Sequence, residues 1–395
     1  MKDVVIVSGV RLPVGTFGGS LKDKTQIEMG GMVVKEAVRR AGIKPENVDE
    51  VIVGMVNEFA QNAFVGRAVA LQAGLPLGTT AYSVNRQCAS GLQAIQEAWM
   101  EINLGLADVC VCAGVESTSR LPYYSPDTRW GHKLGAVTFE DAVYDALVWP
   151  LNGNHNGITA ENVAKKYNVT REEQDQYAAM SHKRACDAIK AGRYKDEILP
   201  VELKGRKGVI TVFDTDEGPR EDCTYEKLSK LKPCFVTDGT GTVTAANASS
   251  LNDGAAAVVV MSKEKAEELG IKPIMKIEGF AVSAMEPELM GYAPKLSSEK
   301  LAEKLDIDLK SIDMVEINEA FASQTVAVAR DLELDMNKVN MYGGGISIGH
   351  PLGATGVILA VKVLYEFMNT SRKDAMIAMC IGGGQGVSMY FTKCE

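Results

Sequence analysis

The sequence predicts an α/β fold made of two similar halves. Three observations carry this: β-branched apolar runs alternate with helix-like segments, a long stretch of the chain repeats, and the chain is long. At 395 residues it exceeds the roughly 250–300 residues at which one hydrophobic core stops growing, so two or more packed units are expected.

The elements follow in order. "KDVVIVSG" (Lys2–Gly9) is a short β-branched run that reads as a first strand and not as a leader peptide. "IEMGGMVVKEAVRRAG" (Ile27–Gly42) is a small-residue helical segment, and "DEVIVGMV" (Asp49–Val56) and "ADVCVCAG" (Ala107–Gly114) are further strands. Between those strands, "VNRQCASGLQA" (Val84–Ala94) turns from loop to helix around Cys88. From about Ser119 to Ala248 the composition changes. This region holds "LPYYSPDTRWGHK", the Gly/Asn-rich "WPLNGNHNGITAEN", and a helix opened by a capping-box pattern, Thr170 with Glu173 three residues later. Basic clusters at "KGRK" (Lys204–Lys207) and "KLSKLKP" (Lys227–Pro233) invite an anionic ligand in an otherwise acidic chain, or form a solvated charged face.

The repeat follows. "IKPENVDEVIVGMVNE" (Ile43–Glu58) aligns with "IDLKSIDMVEINEAFA" (Ile307–Ala322) at an offset of 264 residues, pairing Val48 with Ile312 and Asp49 with Asp313. At nearly that offset "CASGLQA" lies over "GATGVIL" (Gly353–Leu359), and "ADVCVCAGVES" over "DAMIAMCIGGGQG". So long a period excludes a solenoid and points to a duplicated α/β half.

Composition narrows the class. With 46% hydrophobic and 24% charged residues the chain reads as globular, and a net charge of -9 argues against general nucleic-acid binding. No apolar run approaches the roughly 20 residues that span a bilayer, so no membrane partner is expected. Eight cysteines without CxxC spacing indicate neither a disulfide framework nor a zinc site, and a reducing cytoplasm is inferred.

Several residues are placed where chemistry is done. At a helix N-terminus the partial positive charge and free N–H groups favour a thiolate, so Cys88 is expected to have a lowered pKa, though a lone cysteine there also fits a small buried hydrophobe. "GGGISIGHPLGATG" (Gly343–Gly356) surrounds His350 with glycines that permit close backbone approach, and Pro351 keeps the histidine off a helix. In the repeat, His350 corresponds to Asn85 and Gly353 to Cys88, so a pseudo-twofold relation would bring the two turns together. "CIGGGQG" sets Cys380 before a run of glycine N–H groups, a candidate oxyanion nest, though a lone cysteine there fits a core position as well. Asn318 and Glu319 follow the strand Met314–Ile317, at the end where open α/β sheets place ligands.

"NRQCASGLQA", "AGVESTS", "NEAFA", "GGGISIGHPLGATG" and "CIGGGQG", in this order and spacing, resemble the thiolase family, and more narrowly its acetyl-CoA C-acetyltransferases. The resemblance covers the whole chain. It implies a five-layered αβαβα sandwich of two duplicated halves with an inserted loop domain. The halves would be residues 1–118 plus 249–272 and residues 273–395, with 119–248 as the loop domain for coenzyme A and oligomer contacts. It also implies roles. Cys88 would be the acetylated nucleophile, His350 would take its proton and help hold the thioester oxygen, and Cys380 would move the α-carbon proton. Asn318 would hold a water in one oxyanion hole, and the N–H groups of Cys88 and Gly382 would form another. Coenzyme A would lie near Leu147, His155, Arg220 and Ser249, with Met290, Ala320 and Phe321 lining the acyl end. Acyl-CoA thioesters would be substrates, with no separate cofactor or metal, and a dimer or tetramer is implied.

Three positions depart from the family pattern. Asn156, in "NHNGITAEN", stands where short-chain members have a methionine closing the acyl pocket, which leaves acyl specificity open. Lys227 replaces a small polar residue and Ser250 a glycine, both beside the expected coenzyme site. The nearest rival is a 3-oxoacyl synthase or hydroxymethylglutaryl-CoA synthase type of condensing enzyme, but Cys380 and the "GHP" histidine favour thiolase. A nucleotide-dependent oxidoreductase is disfavoured, because no GxGxxG follows the first strand. A non-catalytic acyl-CoA carrier would require a missing catalytic residue, and all are present. The ending "TKCE" is no peroxisomal address.

Overall fold

The computed structural model describes residues 1–205 and 208–395. Arg206 and Lys207 of the basic "KGRK" cluster lie outside the described residues. The first half runs β1 (Val4–Arg11), β2 (Gly15–Thr16), α1 (Gln26–Ala41), β3 (Glu50–Gly54), α2 (Val65–Gln72), β4 (Thr80–Val84), α3 (Ser90–Leu104) and β5 (Val109–Ser117). The intervening region holds β6 (Tyr123–Tyr124), β7 (Glu140–Asp141), α4 (Ala142–Asp145), α5 (Asn156–Lys166), α6 (Arg171–Lys190), β8 (Val201–Lys204), β9 (Ile210–Phe213) and α7 (Tyr225–Leu228). There follow β10 (Asn252–Ser262), α8 (Lys263–Glu268), β11 (Met275–Ala284), α9 (Ala293–Leu305), β12 (Met314–Ile317) and α10 (Ala322–Asp331). The chain closes with α11 (Leu352–Asn369), β13 (Asp374–Ile381) and β14 (Gln385–Lys393).

The main strands lie in the order β12-β13-β14-β11-β1-β10-β5-β3-β4. In one half β3 runs parallel to β5, which pairs antiparallel with β10, and β10 antiparallel with β1. In the other, β12 runs parallel to β13, then β14 and β11 follow antiparallel. The duplication read in the sequence is therefore a duplication of strand order and direction. Its aligned aspartates do equivalent work. Asp49 accepts the N–H groups of Asp108 and Val109 (both 2.9 Å) at the start of β5, and Asp313 accepts that of Lys373 (2.8 Å) before β13. The two halves join into one sheet where Val5 and Ile6 of β1 pair with Lys276 and Met275 of β11.

Helices α3 and α11 begin at the two repeated turns and cross in the core. A Cβ on Gly91 would stand 2.7 Å from the Gly353 carbonyl oxygen, and one on Gly356 would stand 2.3 Å from the Leu92 nitrogen. These two glycines occupy equivalent positions in the repeat, so the G-A-T-G and C-A-S-G turns are where backbone meets backbone. Helix α11 has 18 residues with mean hydropathy 1.3, long and apolar enough to cross a membrane by composition. This corrects the reading that no such run exists, since 89% of that stretch is buried inside the protein. Its apolar residues Val357–Val361, Val363 and Leu364 join the strand faces around it in one core. The expected cap on α6 is present: Thr170 Oγ1 accepts from the Glu173 N–H (3.2 Å) and Glu173 accepts from the Thr170 N–H (2.7 Å).

Candidate active site

Cys88 lies in the tight turn between β4 and α3. Gln87 takes a left-handed conformation (φ 46°) to make that turn. Ser90 clamps it, accepting from the Arg86 N–H (2.9 Å) and donating to the Gln87 carbonyl (2.6 Å). The thiol is only 5% exposed and packs with Val56, Leu352 and Leu147. Backbone N–H groups of Gly382 and of Cys88 itself face the sulfur. They favour the thiolate, yet burial outweighs them and pushes the thiol up to about 11, with the Glu116 carboxylate adding to the rise. The expectation of a lowered pKa is thus corrected. The helix-end amides are present, but the cost of desolvating a charge exceeds what they return.

His350 sits at the end of the glycine loop before α11. Gly349 has φ +116° and presses on the Asn252 amide, so no side chain fits there. Asn252 in turn accepts the His350 N–H (2.9 Å). The ring Nδ1 lies 2.7 Å from Thr355 Oγ1, whose own hydroxyl donates to the Pro351 carbonyl (3.0 Å). Thr355 therefore accepts from Nδ1–H, which leaves Nε2 unprotonated, 3.3 Å from the Asn318 amide nitrogen. Burial lowers this imidazole to about 4, so it is neutral at physiological pH.

Asn318 follows β12, held by its N–H to the Ala378 carbonyl (2.9 Å). Its Oδ1 is buried without a hydrogen-bond partner among the described residues, a free acceptor beside the imidazole. Cys380, near the end of β13, is fully buried and donates to Gln324 Oε1 (3.4 Å). Burial pushes it well above the ordinary thiol range, and the neighbouring Cys88 charge adds to the shift. After it the chain turns through Gly383 and Gly384, both at positive φ, and the Trp149 ring lies against Gly383. The contacts close a ring. Cys88 meets the Gly382 N–H; Cys380 meets Gln324; Gln324 donates to the Asn318 carbonyl (3.0 Å); Asn318 meets His350; and Leu352, two residues on, packs on Cys88.

Most of the residues expected at the acyl and pantetheine end are drawn together. Met290, Ala320, Phe321 and Cys380 share one apolar cluster with Phe235 at its edge. Ser249 donates its N–H to the Ala320 carbonyl (2.9 Å), and Asn156 to that of Leu147 (2.9 Å). His155 caps α5, stacks on Phe235 at 5.0 Å, and Phe235 stands edge-on to Phe321 at 6.4 Å. Asn156 is half-buried as the first residue of α5.

The remaining positions make other contacts. Arg220 and Lys227 are exposed and turned to Asp222 (3.7 and 3.4 Å), and Arg220 also donates to Cys223 Sγ (3.1 Å). Ser250 bonds Asn252 (2.9 Å). Glu319 faces away from the thiols and receives Tyr177, Ser181, Asn340 and the Ile346 N–H, so it holds the glycine loop. Sequence reasoning missed Phe235 and Trp149, aromatic residues in irregular loops without periodicity. It also missed Gln324 and Glu116. Glu116 accepts the N–H groups of Val56 (3.1 Å) and Gly353 (3.0 Å) and the Asn57 amide (3.2 Å). One buried carboxylate thus joins the two halves beneath Cys88, and burial raises it to about 7.

A nucleophilic thiol under backbone donors, a neutral imidazole and a second buried thiol, assembled at the seam of a duplicated α/β frame, define an acyltransferase working through thioesters. The comparisons agree. Residues 4–264 match the model of the thiolase N-terminal domain and residues 271–393 that of the thiolase C-terminal domain. The chain belongs to the thiolase family. It is 46% identical over 393 residues to the beta-ketothiolase BktB of Cupriavidus necator, covering 99% of each chain. It is also 46% identical to an acetyl-CoA acetyltransferase of Syntrophomonas wolfei, covering 98% of each. The crystal structure of the Bacillus anthracis acetyl-CoA acetyltransferase superposes with a TM-score of 0.97 at 44% identity, over 100% of this chain and 99% of that one.

Proposed function

We propose that this protein is an acetyl-CoA C-acetyltransferase, joining two acetyl-CoA into acetoacetyl-CoA plus coenzyme A and cleaving short 3-oxoacyl-CoA in reverse. The observation that carries this reading is the ring of contacts through Cys88, Gly382, Cys380, Asn318 and His350. Cys88 attacks the thioester carbonyl while His350 Nε2 takes the thiol proton. Since burial disfavours a standing thiolate–imidazolium pair, proton transfer accompanies attack. The tetrahedral oxyanion lies against the N–H groups of Cys88 and Gly382, donors worth roughly 10²–10³ in rate when removed. Coenzyme A leaves as a thiolate and takes the proton of Cys380. The Cys380 thiolate then removes an α-proton from the second acetyl-CoA, whose enolate oxygen is held by His350 and a water on Asn318. The α-carbon attacks the acetyl-Cys88 carbonyl, and the Cys88 thiolate leaves and recovers its proton from His350. Coenzyme A thioesters are the substrates, and no resident cofactor or metal is needed for any of these steps.

The inserted region 119–248 is the coenzyme A and oligomer-contact domain in this reading, between halves at 1–118 plus 249–272 and 273–395. Arg220 and Lys227 reach the coenzyme's phosphates by leaving Asp222, and His155 with Phe235 walls the pantetheine. A cytoplasmic homo-oligomer, dimer or tetramer, completes it. Thiolysis of a panel of 3-oxoacyl-CoA esters tests the substrate. Acetoacetyl-CoA is expected to be turned over, with Asn156→Met shifting preference toward it and against branched or longer acyl groups by roughly 10-fold. Absence of thiolysis across the panel contradicts the reading, and an unchanged preference in Asn156→Met removes that residue from the pocket.

A further inference from the structure

Gln324 belongs to none of the roles above, yet among the described residues its side chain alone bonds both the Cys380 thiol and the Asn318 carbonyl. It is fully buried on α10, in the first turn of that helix. Its Nε2 donates to the Asn318 carbonyl (3.0 Å) and its Oε1 accepts the Cys380 thiol (3.4 Å). The two bonds fix the amide's orientation. Turning it over would set Oε1 against the Asn318 carbonyl oxygen, two buried acceptors facing one another. Cys380 is thereby offered an acceptor and not a donor. Gly291 allows this packing, since a Cβ there would come within 3.1 Å of the Gln324 side chain.

We propose that Gln324 is a positioning residue for the proton-transfer step: it fixes the rotamer of Cys380 and, once the α-proton is on sulfur, holds that proton away from the carbanion until the carbon–carbon bond forms. This rests on the proposed acetyltransferase activity. After the α-proton has moved from carbon to the Cys380 sulfur, S–H turns onto Oε1, out of reach of the new carbanion. The carbanion then attacks acetyl-Cys88 before its proton returns. Atoms balance throughout, because Gln324 neither gains nor loses a proton.

The test separates half-reactions in the intact enzyme. Acetylation of Cys88 by acetyl-CoA is followed by mass spectrometry, and proton removal by deuterium uptake into the acetyl-CoA methyl group in D2O. Gln324→Met keeps the volume and removes both polar atoms. It is expected to slow deuterium uptake and condensation by roughly 10–100-fold while acetylation stays within about threefold of the unaltered enzyme. Gln324→Glu restores both bonds only while its carboxyl is protonated and able to donate to the Asn318 carbonyl. Deuterium uptake in that variant should therefore fall as pH rises through the carboxyl's titration, a limb the unaltered enzyme lacks. Uptake at the unaltered rate in Gln324→Met, or equal losses in acetylation and uptake, overturns the proposal. Should the methionine variant not fold, the glutamate variant decides: a falling limb supports the role and a flat profile overturns it. Failure of Cys88 acetylation in the unaltered enzyme would instead overturn the acetyltransferase reading itself.

Discussion

Cys88 and His350 are both neutral at rest, which has a consequence for reactivity with small electrophiles. With its thiol pushed up to about 11 and the imidazole lowered to about 4, the site exposes little thiolate at neutral pH. Below its pKa the thiolate fraction rises about tenfold per pH unit. Alkylation of Cys88 by iodoacetamide should accordingly climb through pH 9 without levelling. A plateau reached below about pH 8 would show a resting thiolate–imidazolium pair instead. Residue identity at this scale was legible where the motif itself carries chemistry, as with Cys88, His350 and Cys380. The sign of the Cys88 shift was not, because it depends on how much protein covers the sulfur from the other half, and a local pattern of residues does not contain that cover.

The elements that place these groups are α3 and α11, each starting at the turn of one repeat. Their crossing depends on glycines that let backbones touch. Gly356→Ala puts a Cβ 2.3 Å from the Leu92 nitrogen, a backbone atom that cannot turn aside. The variant is expected to lose at least about 1–3 kcal/mol by the cost of overpacking. Gly78→Ala, where a Cβ meets nothing within 4 Å, should change stability by less than about 0.5 kcal/mol. Denaturant unfolding of the two variants checks the pair, and equal midpoints would mean that the helices separate freely. The strands and the α6 cap were legible because apolar runs and cap residues are local signals. The length and burial of α11 were not, since a helix apolar on every side reads the same in a core and in a bilayer.

Across the whole molecule the repeat was the most informative feature of the sequence. It foretold two halves, and the aligned Asp49 and Asp313 anchor equivalent strands in each. What the repeat did not contain is its own breakage: Glu116 sits opposite Ile381, and the nucleophile's counterpart is Gly353. One active centre arises because the two copies have diverged at the seam. The loop-domain contacts of Arg220 and Lys227 were illegible for a related reason. They are exposed side chains turned to Asp222, and an exposed charge carries no local signal of its partner. The central claim, that the two thiols divide acyl transfer from proton transfer, is tested most directly by intact-protein and peptide mass spectrometry after mixing with acetyl-CoA. One acetyl group on Cys88 is expected in the unaltered protein and in Cys380→Ala, none in Cys88→Ala, with acetoacetyl-CoA formed by the unaltered protein alone. An unlabelled Cys88 in the unaltered protein, or acetoacetyl-CoA made by Cys380→Ala at an undiminished rate, would contradict it.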